Sequence, residues 1–297
     1  MDPQVSIVIP LFNAETYIAR TIESALAQPV PAQVVVIDDG SSDGGLEVAR
    51  RYADRIELET GPNGGAPKAR NRGLALARAP YVTFLDADDH FVGPVLPGAL
   101  AAAEATGADI VFSPMEIDGR RHEIPGDPPP PEPTFDGWLA GAWVCTGSVL
   151  WRRDFVAGIG GWDEGLRIHQ DGDLLLRGLL AGARLARNRE GATVYDTSNA
   201  GSISRSLSAA KLEALVEGLE TIRARVQGTP FAARTAGLDA ALYGAARRAF
   251  VAGHPAVGRK VLAGLRARGA LRHVGGRAHV LAASVLGLET KVRLFGG

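Results

Sequence analysis

Asp86-Ala87-Asp88-Asp89 stands directly behind the apolar run Tyr81-Val82-Thr83-Phe84-Leu85. Carboxylates crowded at the exit of a buried strand repel one another and resist losing water, so a fold keeps them there when a hard cation or cationic ligand offsets their charge. Taken alone the cluster reads either as such a cation site or as a solvated acidic turn or helix cap. A second acidic pair, Asp38-Asp39, follows Val34-Val35-Val36-Ile37, and an earlier β-branched run, Val5-Ser6-Ile7-Val8-Ile9-Pro10, opens the chain. Runs of this kind, each followed by turn residues and a helical pattern, mark strands buried on both faces of a parallel sheet, whose ligands gather at the carboxyl ends of the strands. Asp38, Asp39, Asp86 and Asp88 fall there, at the ends of the second and fourth expected strands, so acids distant in sequence should converge on one crevice.

The elements that must position them follow from the same alternation. Strands are expected at 5–10, 33–38, 55–59, 81–85 and 109–112, with helices at 14–28, 43–52, 68–78 and 95–106. Asp43 is a candidate N-cap, and Gly61-Pro62-Asn63-Gly64-Gly65-Ala66-Pro67 is a loop opening the third helix. This is a doubly wound α/β pattern. The Pro-rich stretch Pro125 to Pro133 is stiff and extended, a surface excursion outside the core. From Trp143 the chain is apolar again, and Gln170 to Ala181 reads as a helix burying Leu174, Leu175, Leu179 and Leu180. Beyond Ser206 the texture changes to Ala/Leu/Arg helices broken near Gly228-Thr229-Pro230, Gly253-His254-Pro255 and Gly275-Gly276, a helical appendage.

With 297 residues, 46% hydrophobic and 22% charged, the chain has the composition of an ordinary soluble globule. It holds no run of 18 apolar residues and no basic-then-apolar leader pattern, so the expectation is a cytoplasmic protein. Cys145 is the single cysteine, which excludes an intramolecular disulfide and a cysteine metal cage. The net charge of −1 conceals an asymmetry. Residues 1–200 hold 17 Lys+Arg against 28 Asp+Glu, and residues 201–297 hold 15 against 5, net −11 and +10. A basic helical tail of this kind could dock on the acidic part, on a partner that includes a second copy, or on anionic lipid at the inner face of a membrane. Nothing in the chain points to nucleic acid.

Five ordered blocks carry a resemblance. Val5-Ser6-Ile7-Val8-Ile9-Pro10-Leu11-Phe12-Asn13, Ile37-Asp38-Asp39-Gly40-Ser41-Ser42-Asp43, Ala69-Arg70-Asn71-Arg72-Gly73 and Phe84-Leu85-Asp86-Ala87-Asp88-Asp89 are followed by Gly160-Gly161-Trp162-Asp163-Glu164 with Gln170-Asp171-Gly172-Asp173-Leu174. In order and spacing, over about residues 4–205, they resemble family 2 inverting glycosyltransferases of the GT-A fold. The resemblance implies a Rossmann-like, mostly parallel sheet flanked by helices over 1–205, with its nucleotide-binding part at about 1–112 and its acceptor and catalytic part at about 113–205. Residues 206–297 then form the helical C-terminal region. It further implies transfer of a sugar from a nucleotide diphospho-sugar, UDP-linked, to a saccharide or lipid-linked acceptor in polysaccharide, glycolipid or cell-envelope glycan assembly.

Residue roles follow from the same resemblance. Pro10, Phe12, Asn13, Asp39, Arg70, Asp86, Ala87 and Asp88 belong to the donor-binding blocks. Asp39 would accept a uracil-type N3–H, Phe12 would stack on the base or instead pack in the core, and Arg70 would donate to base or diphosphate or be a surface charge. Asp38 would be a structural helper. A Mn²⁺ or Mg²⁺ would sit on Asp88, with Asp86 holding the ribose or sharing the metal and Asp89 behind them or on the sugar. Asp171, at the start of an apolar helix, would be the catalytic base or else a plain cap. Gln170 replaces the acidic residue that the family commonly has there, and His169 is a secondary base candidate or a loop histidine. Gly147, Ser148, Trp162, Asp163 and Glu164 would lie on the acceptor and sugar side, Trp162 packing against a sugar face or else in the core or a loop, and Tyr195 to Arg205, with Ser202 and Ser204, would close over the diphosphate. Two rival readings are a sugar nucleotidyltransferase and a non-catalytic sugar-nucleotide-binding scaffold. The first needs a Gly-rich basic signature where this chain has Pro10-Leu11-Phe12-Asn13, and the second would fit loss of the metal or base aspartate, both of which are present.

Overall fold

The two β-branched runs form the centre of a seven-stranded sheet. The structure, a computed structural model, describes residues 2–123, 144–197 and 208–295. In chain order the strands are β1 (Val5–Leu11), β2 (Ala32–Asp38), β3 (Glu57–Thr60), β4 (Tyr81–Phe84), β5 (His90–Val92), β6 (Ile110–Phe112), β7 (Met115–Ile117), β8 (Arg120–His122), β9 (Val149–Arg152), β10 (Leu185–Arg187) and β11 (Ala192–Tyr195). The large sheet runs β10-β6-β9-β4-β1-β2-β3. All its pairings are parallel except those of β9 with β4 and β6. β1 and β2 are buried almost throughout, as strands covered on both faces by helices must be.

The flanking helices are α1 (Ile18–Leu26), α2 (Gly45–Arg50), α3 (Ala66–Leu76), α4 (Val95–Thr106), α5 (Arg153–Gly158) and α6 (Gln170–Leu180). α3 starts two residues earlier than the sequence suggests, because Pro67 fits the first helical turn, where its missing N–H is not needed. The Asp43 carboxylate accepts from Gly45 N at 2.9 Å and from Glu15 N at 2.9 Å, so it ties two loops together while Gly44 holds the cap position. Within α6, Leu174, Leu175 and Leu179 are buried as expected and Leu176 with them, whereas Leu180 is only half-buried.

A second sheet, β5-β11-β7-β8, was not legible from the apolar pattern because its strands are short and partly polar. Its signal is Asp118-Gly119, both at positive φ (50° and 72°), the dipeptide of a tight hairpin between β7 and β8.

Chain contacts divide the described residues into two units. One takes 2–123, 144–165 and 170–197; the other takes 166–169 and 208–295. The second is helical: α7 (Ala209–Val226), α8 (Thr235–Val251), α9 (Pro255–Ala267), α10 (Arg277–Leu286) and α11 (Leu288–Phe295). Three of its four breaks fall at the Gly/Pro sites read from the sequence; the fourth, at Gly287 with φ 79°, was not expected. Its interior includes Leu212, Leu219, Ile222, Leu238, Leu242, Tyr243, Ala246 and Leu265.

Candidate active site

The strand order reverses between β1 and β4, which makes their carboxyl ends the natural crevice. β4 pairs with β1 only as far as Val8, whose carbonyl accepts from Leu85 N at 2.9 Å. Groups alternate along a strand, so Pro10 presents its missing N–H to the side that β4 has already left, and no ladder bond is lost. Beyond it Phe12 is 50% exposed, so its ring stands open rather than in the core. Asn13, at φ 49°, accepts from Ser42 N at 2.8 Å through Oδ1 and donates its own N–H to Ser41 Oγ at 3.1 Å, pinning the loop after β1 to the loop after β2.

Asp38 and Asp39 are both buried and both engaged. Asp38 accepts from Ser41 N at 3.1 Å and from Thr60 Oγ1 at 2.7 Å, which ties the loop after β2 to the end of β3. Asp39 accepts from the N–H groups of Gly64 (2.9 Å) and Gly65 (2.8 Å), which lead into α3. Its carboxylate thus satisfies donors at a helix start from a neighbouring strand. Gly40, at φ 76°, makes the turn after Asp39, where a Cβ would lie 2.9 Å from Asn63 N.

Asp86 to Asp89 form a turn closed by Asp89 N donating to Asp86 O at 3.0 Å. It is held from α1. Thr21 Oγ1 shares its proton between the Ala87 and Asp89 carbonyls at 2.8 and 2.7 Å, and Arg20 Nη2 donates to Asp88 O at 3.0 Å and to Asp196 Oδ2 at 2.6 Å. Asp86 and Asp88 are partly open while Asp89 is fully buried, its Oδ1 accepting from Asp196 N at 3.1 Å. Asp89 therefore lies behind the turn and not on its open side. Burial, then the charges of Asp86 and Asp88, hold its carboxyl well above the usual carboxylate range. Asp89 Oδ2 is a buried acceptor with no hydrogen bond among the described residues.

Arg70 links this turn to the helix that carries Asp171. α3 can press on β1 because Gly73 lacks a Cβ, which would fall 2.2 Å from Val8 Cγ1, and Ala69 beside it is also fully buried. One turn earlier on that helix, Arg70 is 6% exposed, so it is neither a surface charge nor openly presented to a ligand. Its Nη2 donates to Asp86 Oδ1 at 2.5 Å and its Nη1 to Gln170 Oε1 at 3.0 Å. Its guanidinium carbon lies 4.4 Å from the Trp162 ring centroid, a cation–π contact. Trp162, itself buried, meets Phe84 edge-on at 5.1 Å, so its ring supports Arg70 and the sheet and is not an open sugar platform.

The 160–164 loop is clamped by residues the sequence reading did not single out. Asn71 accepts from Trp162 N at 2.8 Å and donates to Trp162 O and Glu164 Oε1, each at 2.9 Å. Gly161, at φ 60°, is required there, since a Cβ would sit 2.7 Å from Asn71 Oδ1. Arg177 on α6 donates to the carbonyls of Ile159 (2.8 Å) and Gly161 (2.7 Å) and to the buried Asp173 at 2.9 Å. Asp163 Oδ1 accepts from Gly165 N at 2.9 Å. The signal for Asn71 was its place beside Arg70 in Ala69-Arg70-Asn71-Arg72-Gly73; for Arg177, its i,i+4 spacing from Asp173.

Asp171 lies partly exposed in the first turn of α6, one residue after the Gln170 that Arg70 holds. His169 takes φ 61° and its ring lies beside Gly218 of α7. Gly147 and Ser148 are buried in a short 3₁₀ turn. A Cβ on Gly147 would strike Leu85 and Thr193, and Ser148 O accepts from Ser113 N at 2.7 Å. Cys145, 2.8 Å from Ser148 Oγ, is buried, which pushes its thiol far up and makes it a small apolar residue. Tyr195 ends β11, but Ser202, Ser204 and Arg205 of the expected closing loop lie outside the described residues, as do Trp143 and the Pro125 to Pro133 stretch.

Comparison with known proteins adds an independent line. The model of Glycosyl transferase family 2 matches residues 6–137. The succinoglycan biosynthesis protein ExoO of Rhizobium meliloti (strain 1021) is 30% identical over 246 residues, covering 75% of this chain and 69% of that protein. Four other curated relatives, 30–40% identical, are matched over only 26–58% of their own length. In fold, the chain is similar to Staphylococcus aureus TarS 1-349 in complex with UDP-GlcNAc, with TM-score 0.66, 18% identity, and coverage of 98% of this chain and 91% of that one. It is also similar to the mannosyltransferase PcManGT from Pyrobaculum calidifontis in complex with GDP-Man and Mn²⁺, with TM-score 0.63, 18% identity, and coverage of 100% and 84%.

Proposed function

Because the chain belongs to glycosyl transferase family 2, we propose that it moves a sugar from a nucleotide diphospho-sugar, UDP-linked, to an acceptor hydroxyl with inversion at the anomeric carbon. The observation that carries this reading is the Arg70 bridge, which joins the acidic turn at the end of β4 to the first turn of the helix bearing Asp171. In this reading the two ends of the reaction are set by one buried cation: the diphosphate end at Asp86 and Asp88, the nucleophile end at Asp171.

On the donor side, Phe12 offers an open ring to the base. Asp39 keeps lone pairs for a base N–H beyond the two backbone donors it already holds. Asp86 and Asp88 are an oxygen-only donor set, partly open, beside an Asp89 whose pKa is raised by burial and then by their charges, and that is the chemistry Mg²⁺ or Mn²⁺ fits. Asp88, with Asp86 beside it, would hold the ion. Among the described residues no three His, Cys, Asp or Glu side chains form a metal-holding group, and donor phosphate oxygens would complete the coordination. When bound, the ion neutralises charge on the departing diphosphate.

On the acceptor side, Asp171 takes the hydroxyl proton as that oxygen bonds to the anomeric carbon, and the bond from this carbon to the diphosphate oxygen breaks, its electrons leaving with the nucleoside diphosphate. A carboxylate in the first turn of α6, partly open, is the residue type and exposure that task needs. Glu164, held by Asn71, and Asp163 stand ready for sugar hydroxyls. ExoO, a succinoglycan biosynthesis protein, supports an acceptor in polysaccharide or cell-envelope glycan assembly, saccharide or lipid-linked. The same reading sets the basic C-terminal helices against an anionic membrane surface. No helix of the described residues is long and apolar enough to cross a membrane.

The test is a panel of UDP- and GDP-sugars, each with Mn²⁺ or Mg²⁺, scored by the rise in thermal midpoint. At least one UDP-sugar should raise it only with the metal present, and the transferred product should carry the opposite anomeric configuration by NMR. No protection by any donor with either metal would overturn the reading.

A further inference from the structure

α10 is an apolar helix with one face left uncovered. Seven of its ten residues are apolar, yet Ala283 is the single one buried. Leu281 is 68% exposed and Val285 74%. Arg277, Leu281 and Val285 follow at i, i+4 and i+8, one stripe on the outward side of the helix. Leu286, Leu294 and Phe295 are exposed nearby in sequence, and so are Arg272, Arg277 and Arg293. An apolar stripe edged with arginines is the pattern of a helix lying in a membrane interface. At ten residues α10 is about 15 Å long, roughly half the hydrocarbon thickness, so it suits the surface and not a crossing.

We infer that the Arg277–Leu281–Val285 face of α10 docks this chain on an anionic lipid surface. The inference rests on the reading above, that the acceptor side of the reaction involves cell-envelope glycans, and it adds the face that makes the contact. Charge decides between occupants. Residues 201–297 carry net +10, so two copies of this region would bring like charges together, whereas an anionic leaflet attracts each arginine near its surface. Leu281 and Val285 would enter the boundary between head groups and acyl chains while Arg272 and Arg277 stay at the phosphates.

The experiment is co-sedimentation of the full chain with phosphatidylcholine vesicles, with and without phosphatidylglycerol, at low and high salt. Binding is expected only with phosphatidylglycerol and should fall as salt rises. Leu281→Ser with Val285→Ser should cut partitioning about tenfold or more. Arg272→Gln with Arg277→Gln should do so by about tenfold. All four side chains are exposed, so circular dichroism and thermal unfolding should match the parent. Absence of binding to phosphatidylglycerol vesicles at low salt, or binding that both double variants leave intact, would overturn the inference. So would a dimer in light scattering that Leu281→Ser/Val285→Ser dissolves, which would make the face a contact between copies. Thermal protection by UDP-sugars is measured on the same samples without vesicles. Its loss in the parent would sink the glycosyl-transfer reading while leaving lipid docking standing, and its retention without vesicle binding would do the reverse.

Discussion

Arg70 Nη2 lies 2.5 Å from Asp86 Oδ1, a charge-assisted hydrogen bond between a buried guanidinium on α3 and a half-exposed carboxylate at the end of β4. Trp162 backs the guanidinium and Gln170 takes its other arm. Because the Gln170 side chain is a neutral amide, the carboxylate held by this guanidinium comes from the acidic turn.

Arg70→Met should therefore act on both stability and the donor site. Losing a hydrogen bond to a charged group, with Asp86 still partly solvated, is expected to cost about 2 kcal/mol in chemical denaturation. UDP affinity in the presence of Mn²⁺ should drop with it, and Arg70→Lys should restore the charge but not the stacked fork geometry, recovering only part of either. Full recovery by the lysine variant would show that charge alone matters.

Asp88→Asn should uncouple nucleotide binding from metal. In calorimetric titrations of UDP, the parent is expected to bind at least about tenfold more tightly with Mn²⁺ than without it, a difference of about 1.4 kcal/mol. The variant should show no such difference. Equal affinity in parent and variant with the metal present would remove the ion from Asp88.

Asp171→Asn should leave UDP binding unchanged and lower turnover by roughly 100-fold or more, the scale of losing a general base. His169→Ala should keep near-parental turnover, since its ring lies beside Gly218. The opposite result for the pair would transfer the base to His169.

A pH dependence is expected in the helical unit. The Tyr243 hydroxyl stands 3.1 Å from His273 Nδ1 and 3.2 Å from His279 Nε2. Burial, then Arg266, lowers the His273 pKa, and burial, then Arg247, Lys291 and His273, lowers that of His279. Groups with depressed folded values bind protons more readily when unfolded, so their contribution is present above the ordinary histidine value near 6.5 and is lost as pH falls below it through the folded values. The parent should lose thermal stability between neutral and mildly acid pH, and His273→Asn with His279→Gln should flatten that slope. An unchanged slope in the double variant would assign it elsewhere.

Asp86→Ala should cost more stability than Arg70→Met. The Asp86 to Asp89 turn is also held by Thr21 and Arg20 through main-chain carbonyls, so the turn itself should persist. The buried Arg70 guanidinium, however, is left with the neutral Gln170 amide and the Trp162 ring and no carboxylate, which is costlier than leaving a partly solvated Asp86 without its arginine. The expected readout is weakened UDP binding with a stability loss above that of Arg70→Met in chemical denaturation, and a smaller loss would show that Gln170 and Trp162 suffice for the buried charge.

The sequence by itself determined the alternation that builds the central sheet, the placing of Asp38, Asp39, Asp86 and Asp88 at strand ends, the helix start at Gln170 and three of the four breaks of the basic tail. These are local matters of periodicity and turn chemistry, and each is settled within a few residues. Only the tertiary structure decided which partner each side chain takes. Arg70 and Gln170 meet across 100 positions, and Asp39 spends two lone pairs on Gly64 and Gly65. Trp162 turns inward under Arg70, and Asp89 sinks behind the turn, where burial and then the charges of Asp86 and Asp88 lift its pKa. β9 enters antiparallel between β4 and β6. Such outcomes depend on packing density, on room left by Gly73 and Gly161, and on the satisfaction of buried polar groups, none of which has a period in the sequence.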